Sequence, residues 1–544
     1  MWNYEADIIV VGSGAAASSA ALFAYEKGAE VIMVEKRARP GGTTEKSGGV
    51  FWIPNNSFLR ESKIEDKKED ALRYMARLSY PTLYNPSDHH FGLNDHQYEL
   101  LEAYYDNASP TIEKLHAMGA LDATPWIAWD GQVFPDYYAH LPEDKVPRGR
   151  CLVPKDPQTG KGVARGFELI RQLREAINQR EIPILLNHRA KKLILNRKGE
   201  VVGLEAIDSE NHIVTLRAKK AVIFGSGGFT HSPEKRLNFL RGPVFGGCAV
   251  PTNEGDFIDI ATSVGAKLNN TANAWWAPVV LEEVLEHPSP PTDVFMVSGD
   301  SMIYVNKYGK RIVDEKAVYN EKTQAFFTWD PIKGEYPNLM VFMIYDQRTA
   351  DIWGNYPPAA AYPIPTKDTP SPYLIYGNTP EDLARAIEER LNKIASATGN
   401  FHLDQSFSEN LKRTIKVFNQ YAEQGIDPEF HRGEQPIDLA YNGPAAPDHN
   451  LPNITMYPIA SEGPYYAIII AGGTLDTKGG PKINKKAQVL DHEDMPIPGL
   501  YGAGNCIAAP AAQAYWAGGG TIGPALTFGY IAADYAVQEN IKEP

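Results

Sequence analysis

Two periods of apolar and polar residues alternate along this chain, and each change of period marks an element. Asp7–Val11 reads as a near-continuous apolar run, the pattern of a strand buried on both faces. Gly12-Ser13-Gly14 follows as a tight turn, and a helical spacing runs from Ala15 to Lys27, where Gly28 stops it. A second apolar run, Val31–Val34, ends at Glu35, completing a strand–helix–strand unit. Helical spacing returns at Tyr98–Met118 and Gly166–Gln179, then a short strand at Ile184–Leu186. Leu193–Glu205 and Ile213–Ala218 alternate as an antiparallel meander, and Ala221–Phe224 reads as another buried strand.

The middle third has a different texture. Residues 280–375 are rich in Pro, Tyr, Phe and Met, and the stretch Tyr356–Pro365 cannot form a helix interior. It reads either as a surface loop or as an apolar lid for a greasy substrate. Pro380–Thr398 and Ser408–Gln424 have the spacing of amphipathic helices. Beyond Asp476 the first texture resumes: Leu500–Asn505 reads as a strand and turn, and Thr521–Gln538 as a closing helix. The expected architecture is α/β, a discontinuous Rossmann-like nucleotide-binding domain (residues 1–274 and 477–544) with an α+β catalytic domain (275–476) inserted.

Composition narrows the function classes. A chain of 544 residues with 43% hydrophobic and 22% charged residues supports large cores without staples. The net charge of −14 disfavours a nucleic-acid partner. Cys151, Cys248 and Cys506 are scattered and form no ligand-spaced pair, so no metal site and no disulfide framework is expected. The opening MWNYEADIIVVGSG lacks a basic, cleavable leader, and no apolar run reaches the ~18 residues of a membrane span. The expected location is cytoplasmic, with a peripheral membrane contact through the 355–375 loop left open.

Three glycine-rich segments carry the chemistry. Gly12-Ser13-Gly14-Ala15-Ala16-Ala17 is a G-x-G-x-x-A fingerprint that brings a pyrophosphate against a helix N-terminus, and Glu35 stands where its carboxylate accepts ribose hydroxyls. Lys36 follows it. A second loop, Gly41-Gly42-Thr43-Thr44-Glu45-Lys46-Ser47-Gly48-Gly49, comes almost at once. An NAD-only domain has no need of it, whereas FAD is longer and requires a further cradle. Gly42, Thr43, Thr44, Ser47, Gly48 and Gly49 are therefore expected against FAD. The third segment, Tyr515–Pro524, opens the last helix with a glycine turn whose end aims a dipole at the cofactor, placing Thr521 and Ile522 beside it, with Gly504 and Asn505 nearby. A free glycine amide there would polarise a substrate carbonyl.

On these segments, together with Phe134-Pro135-Asp136-Tyr137-Tyr138, Val305–Glu315, Glu429–Glu434 and Thr477–Gly480, the chain resembles the fumarate reductase/3-ketosteroid dehydrogenase flavoproteins, and within them the 3-ketosteroid Δ1-dehydrogenases. Fumarate-reducing members carry an arginine four places after the residue matching Glu315; here Tyr319 stands there, which argues against a dicarboxylate substrate. The resemblance implies that Tyr515 and the Gly519 amide bind the 3-keto oxygen. It further implies that Tyr319, supported by Tyr137, removes a proton from C2, and that FAD takes a hydride from C1. The implied partners are a steroid-like apolar ketone and an electron acceptor, a quinone or another. Two alternatives stay open: 4,5-dehydrogenation or enoate reduction on the same fold, and a non-catalytic flavin-binding protein. Tyr137 and Tyr138 are adjacent, and sequence leaves open which faces the site. Trp516 departs from the family pattern, and Trp275 and Trp276 suggest a pocket shaped differently from one for a small steroid. Arg432, in His431-Arg432-Gly433-Glu434, is expected in a salt-bridged structural turn.

Overall fold

In the computed structural model, residues 2–290, 297, 299–354, 364 and 371–544 are described. The chain builds two main sheets, one for each texture in the sequence. The first has eight strands, and its parallel centre runs in the order Pro496–Gly502, Ile213–Phe224, Tyr4–Val11, Val31–Val34, Ile184–Leu185. Strand Tyr4–Val11 thus has Val31–Val34 on one side and Ile213–Phe224 on the other. Chain connections leave its carboxyl end in opposite directions and open a crevice there. Its core residues Ile8, Ile9 and Val10 are fully buried, as their unbroken apolar run requires.

One strand differs from the expectation. Ile213–Ala218 and Ala221–Phe224 are a single strand, Ile213–Phe224. Its first half pairs antiparallel with Val201–Ile207 and alternates in burial; its second half pairs in parallel with Tyr4–Val11 and Pro496–Gly502 and is buried on both faces. The change of period therefore marks a change of neighbours, not a break.

The second sheet is antiparallel, in the order Ala274–Val280, Tyr465–Thr477, Met340–Asp346, Met302–Val305, with Ile375–Gly377 also on Tyr465–Thr477. Helices Pro380–Lys393 and Phe407–Gln424 contribute to the apolar core built on it, through Leu383, Ile387, Leu391, Leu411, Ile415 and Phe418. The first is set by its sequence: Thr379 accepts from the Asp382 amide, Pro380 takes the first turn, and Arg390 and Lys393 stand in the last. The fold is a discontinuous Rossmann-like domain with an inserted α+β domain. Strand Tyr465–Thr477 ends where the chain returns to the first domain, so both sheets meet at one cleft. Residues 355–363 and 365–370 of the predicted lid lie outside the described residues.

Candidate active site

A cleft runs between the two sheets, lined by residues of both. One end is backbone. Gly12 has φ +108°, and a Cβ there would come within 2.4 Å of the Gly225 carbonyl oxygen. Gly225 itself approaches Ala17 so closely that its own Cβ would lie 2.7 Å from the Ala17 nitrogen. Only small residues let the turn, the strand and the helix converge. Helix Ala15–Glu26 starts at Gly14 with no side-chain cap and no acid in its first turn, so its end is open to an anion. Buried Glu35 is fixed by the Ser13 hydroxyl at 2.5 Å and the Arg37 amide at 2.8 Å. This end fits an adenine dinucleotide.

The predicted cofactor residues Gly12, Gly14, Ala15, Ala16, Glu35, Lys36, Gly42, Thr43, Thr44, Ser47, Gly48, Gly49, Gly504, Asn505, Thr521 and Ile522 all line this cleft. The 41–49 loop is not wholly extended: Gly42–Lys46 is a short helix. Its Thr44 hydroxyl accepts from the Ala15 amide at 3.1 Å, and Thr43 accepts from the Val250 amide at 3.1 Å.

The other end is made of phenols. Tyr137, Tyr319 and Tyr515 line the cleft together, with ring centroids 5.3–5.7 Å apart. The Tyr137 and Tyr319 hydroxyls are 2.7 Å apart. The Tyr515 ring meets Tyr319 edge-on at 5.4 Å, and Thr521 lines the cleft beside it. Tyr441 joins the group, edge-on to Tyr137 at 6.1 Å and stacked on Tyr319 at 6.2 Å. The result is a cluster of four phenols around the Tyr137–Tyr319 hydrogen bond. Tyr441 escaped the sequence reading: it sits on the seven-residue helix Pro436–Asn442, and no local pattern marks it.

Each phenol is held by different surroundings. Tyr137 lies in a loop whose amide donates to the Trp516 carbonyl at 3.2 Å, while Tyr138 turns away to Glu321. The preceding Asp136 shares the buried Arg150 guanidinium with Asp66 and Asp144, at 2.7–2.8 Å. Burial and the neighbouring Asp144 push the Asp136 carboxyl up to about 8. Tyr319 opens the helix Tyr319–Gln324, downstream of Glu315, which is locked by Arg311 and Arg432. Arg432 is fully buried, as a structural ion pair.

Burial drives the Tyr319 phenol well above the ordinary tyrosine range, and its bond with Tyr137 works the other way. The same bond pushes Tyr137 up further. Tyr515 is pushed up to about 12 by burial, against the pull of the neighbouring Tyr319 and Thr521 hydroxyls.

Gly519 has φ +88°, and a Cβ there would lie 2.5 Å from Phe51. Its carbonyl accepts from the Trp52 and Gly523 amides, and its own N–H makes no hydrogen bond among the described residues. Trp275 and Trp126 complete this end. Trp276 packs instead on Phe327, and Trp516 is buried against Trp52 and Tyr104. Of the basic lining residues, Lys36, Arg37 and His188 surround Glu35, and Lys46 donates to the Ser289 and Pro290 carbonyls. Among the described residues there is no metal-binding cluster and no helix long and apolar enough to cross a membrane.

Comparison with known proteins agrees with this geometry. The family profile described as an FAD binding domain matches residues 7–522. The chain is 30% identical to 3-oxosteroid 1-dehydrogenase of Mycolicibacterium smegmatis, over 98% of this chain and 97% of that protein. It is 29% identical to 4-oxocyclohexanecarboxylate 2-dehydrogenase of Sinomonas cyclohexanicum, over 97% and 92%. Among solved structures, it is similar to 3-ketosteroid delta1-dehydrogenase from Sterolibacterium denitrificans in complex with 1,4-androstadiene-3,17-dione. That match has TM-score 0.80 and 27% identity, and it covers 98% of this chain and 100% of that one.

Proposed function

The chain belongs to the FAD-binding flavoprotein family that includes 3-oxosteroid 1-dehydrogenases, and from that premise we propose that it introduces a C1–C2 double bond into a 3-ketosteroid. The observation that carries this reading is the phenol pair at 2.7 Å in the same cleft as the dinucleotide cradle, with a third phenol against both. A ketone oxygen placed between the Tyr515 hydroxyl and the Gly519 amide meets two donors, and enolate character there acidifies the neighbouring C2–H. Tyr319 takes that proton as its phenolate, an anion to which the Tyr137 hydroxyl donates a hydrogen bond, and becomes the neutral phenol. FAD, when bound, supplies the acceptor for the hydride that leaves C1. The aromatic walls exclude water and suit an uncharged ring system.

The basic residues around Glu35 stand at the opposite end from the phenols, which supports a neutral ketone over a carboxylate substrate. The similarity to a dehydrogenase of 4-oxocyclohexanecarboxylate keeps a single-ring ketone as the second reading. The electrons pass to a quinone or another acceptor, and the 355–375 segment is the proposed site of any peripheral membrane contact.

The test is anaerobic titration of the holoprotein with 4-androstene-3,17-dione, cholest-4-en-3-one, the saturated 5α-androstane-3,17-dione and 4-oxocyclohexanecarboxylate, followed by product analysis. Bleaching of the flavin is expected with formation of a 1,4-diene from the two 4-ene steroids and of a 1-ene from the saturated one. A new 4,5-double bond from a saturated ketosteroid would move the assignment to the other branch. Silence toward every ketone would sink it.

A further inference from the structure

Lys478 lies just beyond strand Tyr465–Thr477 and is fully buried. A buried ammonium ordinarily has an acid beside it. Among the described residues no carboxylate forms an ion pair with Lys478, and Glu321 acts on it only through space. Burial pushes it well below the ordinary lysine range.

Its three donor directions are nevertheless accounted for. An ammonium has three N–H groups and no acceptor. Nζ donates to the Gln513 carbonyl at 3.0 Å and to the Ala514 carbonyl at 2.8 Å. It also stands 4.1 Å from the Trp275 ring centroid, in cation–π geometry.

These three partners have one thing in common. Gln513 and Ala514 immediately precede Tyr515 in the chain, and Trp275 packs edge-on against the Tyr515 ring at 5.0 Å. Trp275 is held on its far side as well: its Nε1 donates to Asn505 at 2.9 Å, and Asn505 donates to Asp476 at 3.1 Å. Lys478 itself is not among the residues that line the cleft. It therefore reaches the site only through its partners, the backbone that leads into Tyr515 and the Trp275 indole, which lines the cleft and packs on the Tyr515 ring.

We propose that Lys478 is a positioning residue for ketone activation, fixing the 513–514 turn and the Trp275 indole so that the Tyr515 hydroxyl is aimed at the substrate oxygen. The inference rests on Tyr515 acting on that oxygen. A displacement of a donor by about 1 Å is enough to cost on the order of 10²-fold in rate.

The experiment is a double-mutant cycle on the holoprotein with K478M, K478Q, Y515F and both Lys478 changes combined with Y515F. Flavin reduction by 4-androstene-3,17-dione is followed by anaerobic rapid mixing, ketone affinity by calorimetry, and Tm by thermal melting. K478M removes every donor and is expected to slow reduction by about ten- to a hundredfold, with a much smaller change in ketone affinity. K478Q keeps two N–H donors without charge and is expected to recover part of the rate. In the Y515F background neither change is expected to slow reduction further.

Fold-losses that multiply in the double variants, an unchanged rate in K478M, or loss of flavin from both Lys478 variants would each overturn the proposal. Y515F reducing its flavin at the parent rate would instead sink the reading of the site on which the proposal stands. The two failures are therefore distinguishable.

Discussion

The two ends of the cleft are built on opposite principles. The dinucleotide end is local and made of backbone: Gly12, Gly14 and Glu35 fall within one strand–helix–strand unit, and what matters is how closely main chain can approach main chain. The phenol end is assembled from four distant segments, and what matters is which side chains share one buried volume. The first is a receptor that tolerates little change in shape. The second is a reactive group whose shape survives loss of a hydroxyl. Damage to the first should remove the cofactor, and damage to the second should leave a flavoprotein that binds but does not react.

The sharpest contrast is Gly12→Ala, whose Cβ would meet the Gly225 carbonyl. The protein is expected to purify without flavin absorbance, with activity lost entirely. Tyr319→Phe is expected to keep a full flavin spectrum while flavin reduction falls on the order of 10³–10⁴-fold, by loss of the base. Tyr515→Phe should cost about 10²–10³-fold, as removal of one donor to an oxyanion does. Rapid-mixing traces measure both, and a lost flavin in either would break the contrast.

A pH profile then separates the ends further. As the proposed base, Tyr319 would have to give up its proton to act, and its folded value lies above the ordinary one. The rate of flavin reduction by substrate should therefore climb with rising pH through the neutral range, about tenfold per unit while the phenol remains mostly protonated. A profile that falls over that range would identify a different base. The smallest effect is expected at Tyr441→Phe, which removes a hydroxyl while keeping the ring stacked on Tyr319. A loss under about tenfold, with unchanged flavin content, fits a ring that packs the pair without taking part in the proton transfer.

Sequence legibility divides along the same line. The cradle could be read residue by residue because turn, helix start and acid follow one another at fixed spacing. Tyr319 and Tyr515 emerged only through resemblance to known flavoproteins, since nothing in their local pattern says that they meet. The choice between Tyr137 and Tyr138 depended on the loop's backbone bond to Trp516, a contact nearly four hundred residues away in the chain. Tyr441 had no signal at all. In the fold, Ile213–Phe224 was divided in the reading because its burial changes halfway along, and only the partner strands explain why.

Asp136, beside Tyr137, belongs to a group in which one guanidinium faces three acids. Two negative charges would be left over in a buried interior, and a proton kept on Asp136 removes one of them. A carboxyl whose folded value is raised to about 8 favours the folded state below its unfolded value near 4 and loses that advantage as pH climbs through 8. Alkali thus strengthens the phenolate at Tyr319 and loosens the ground beneath Tyr137. Stability falling off above about pH 8 is therefore the expected basic limit of the working range, set by an acid outside the proposed set of reacting groups.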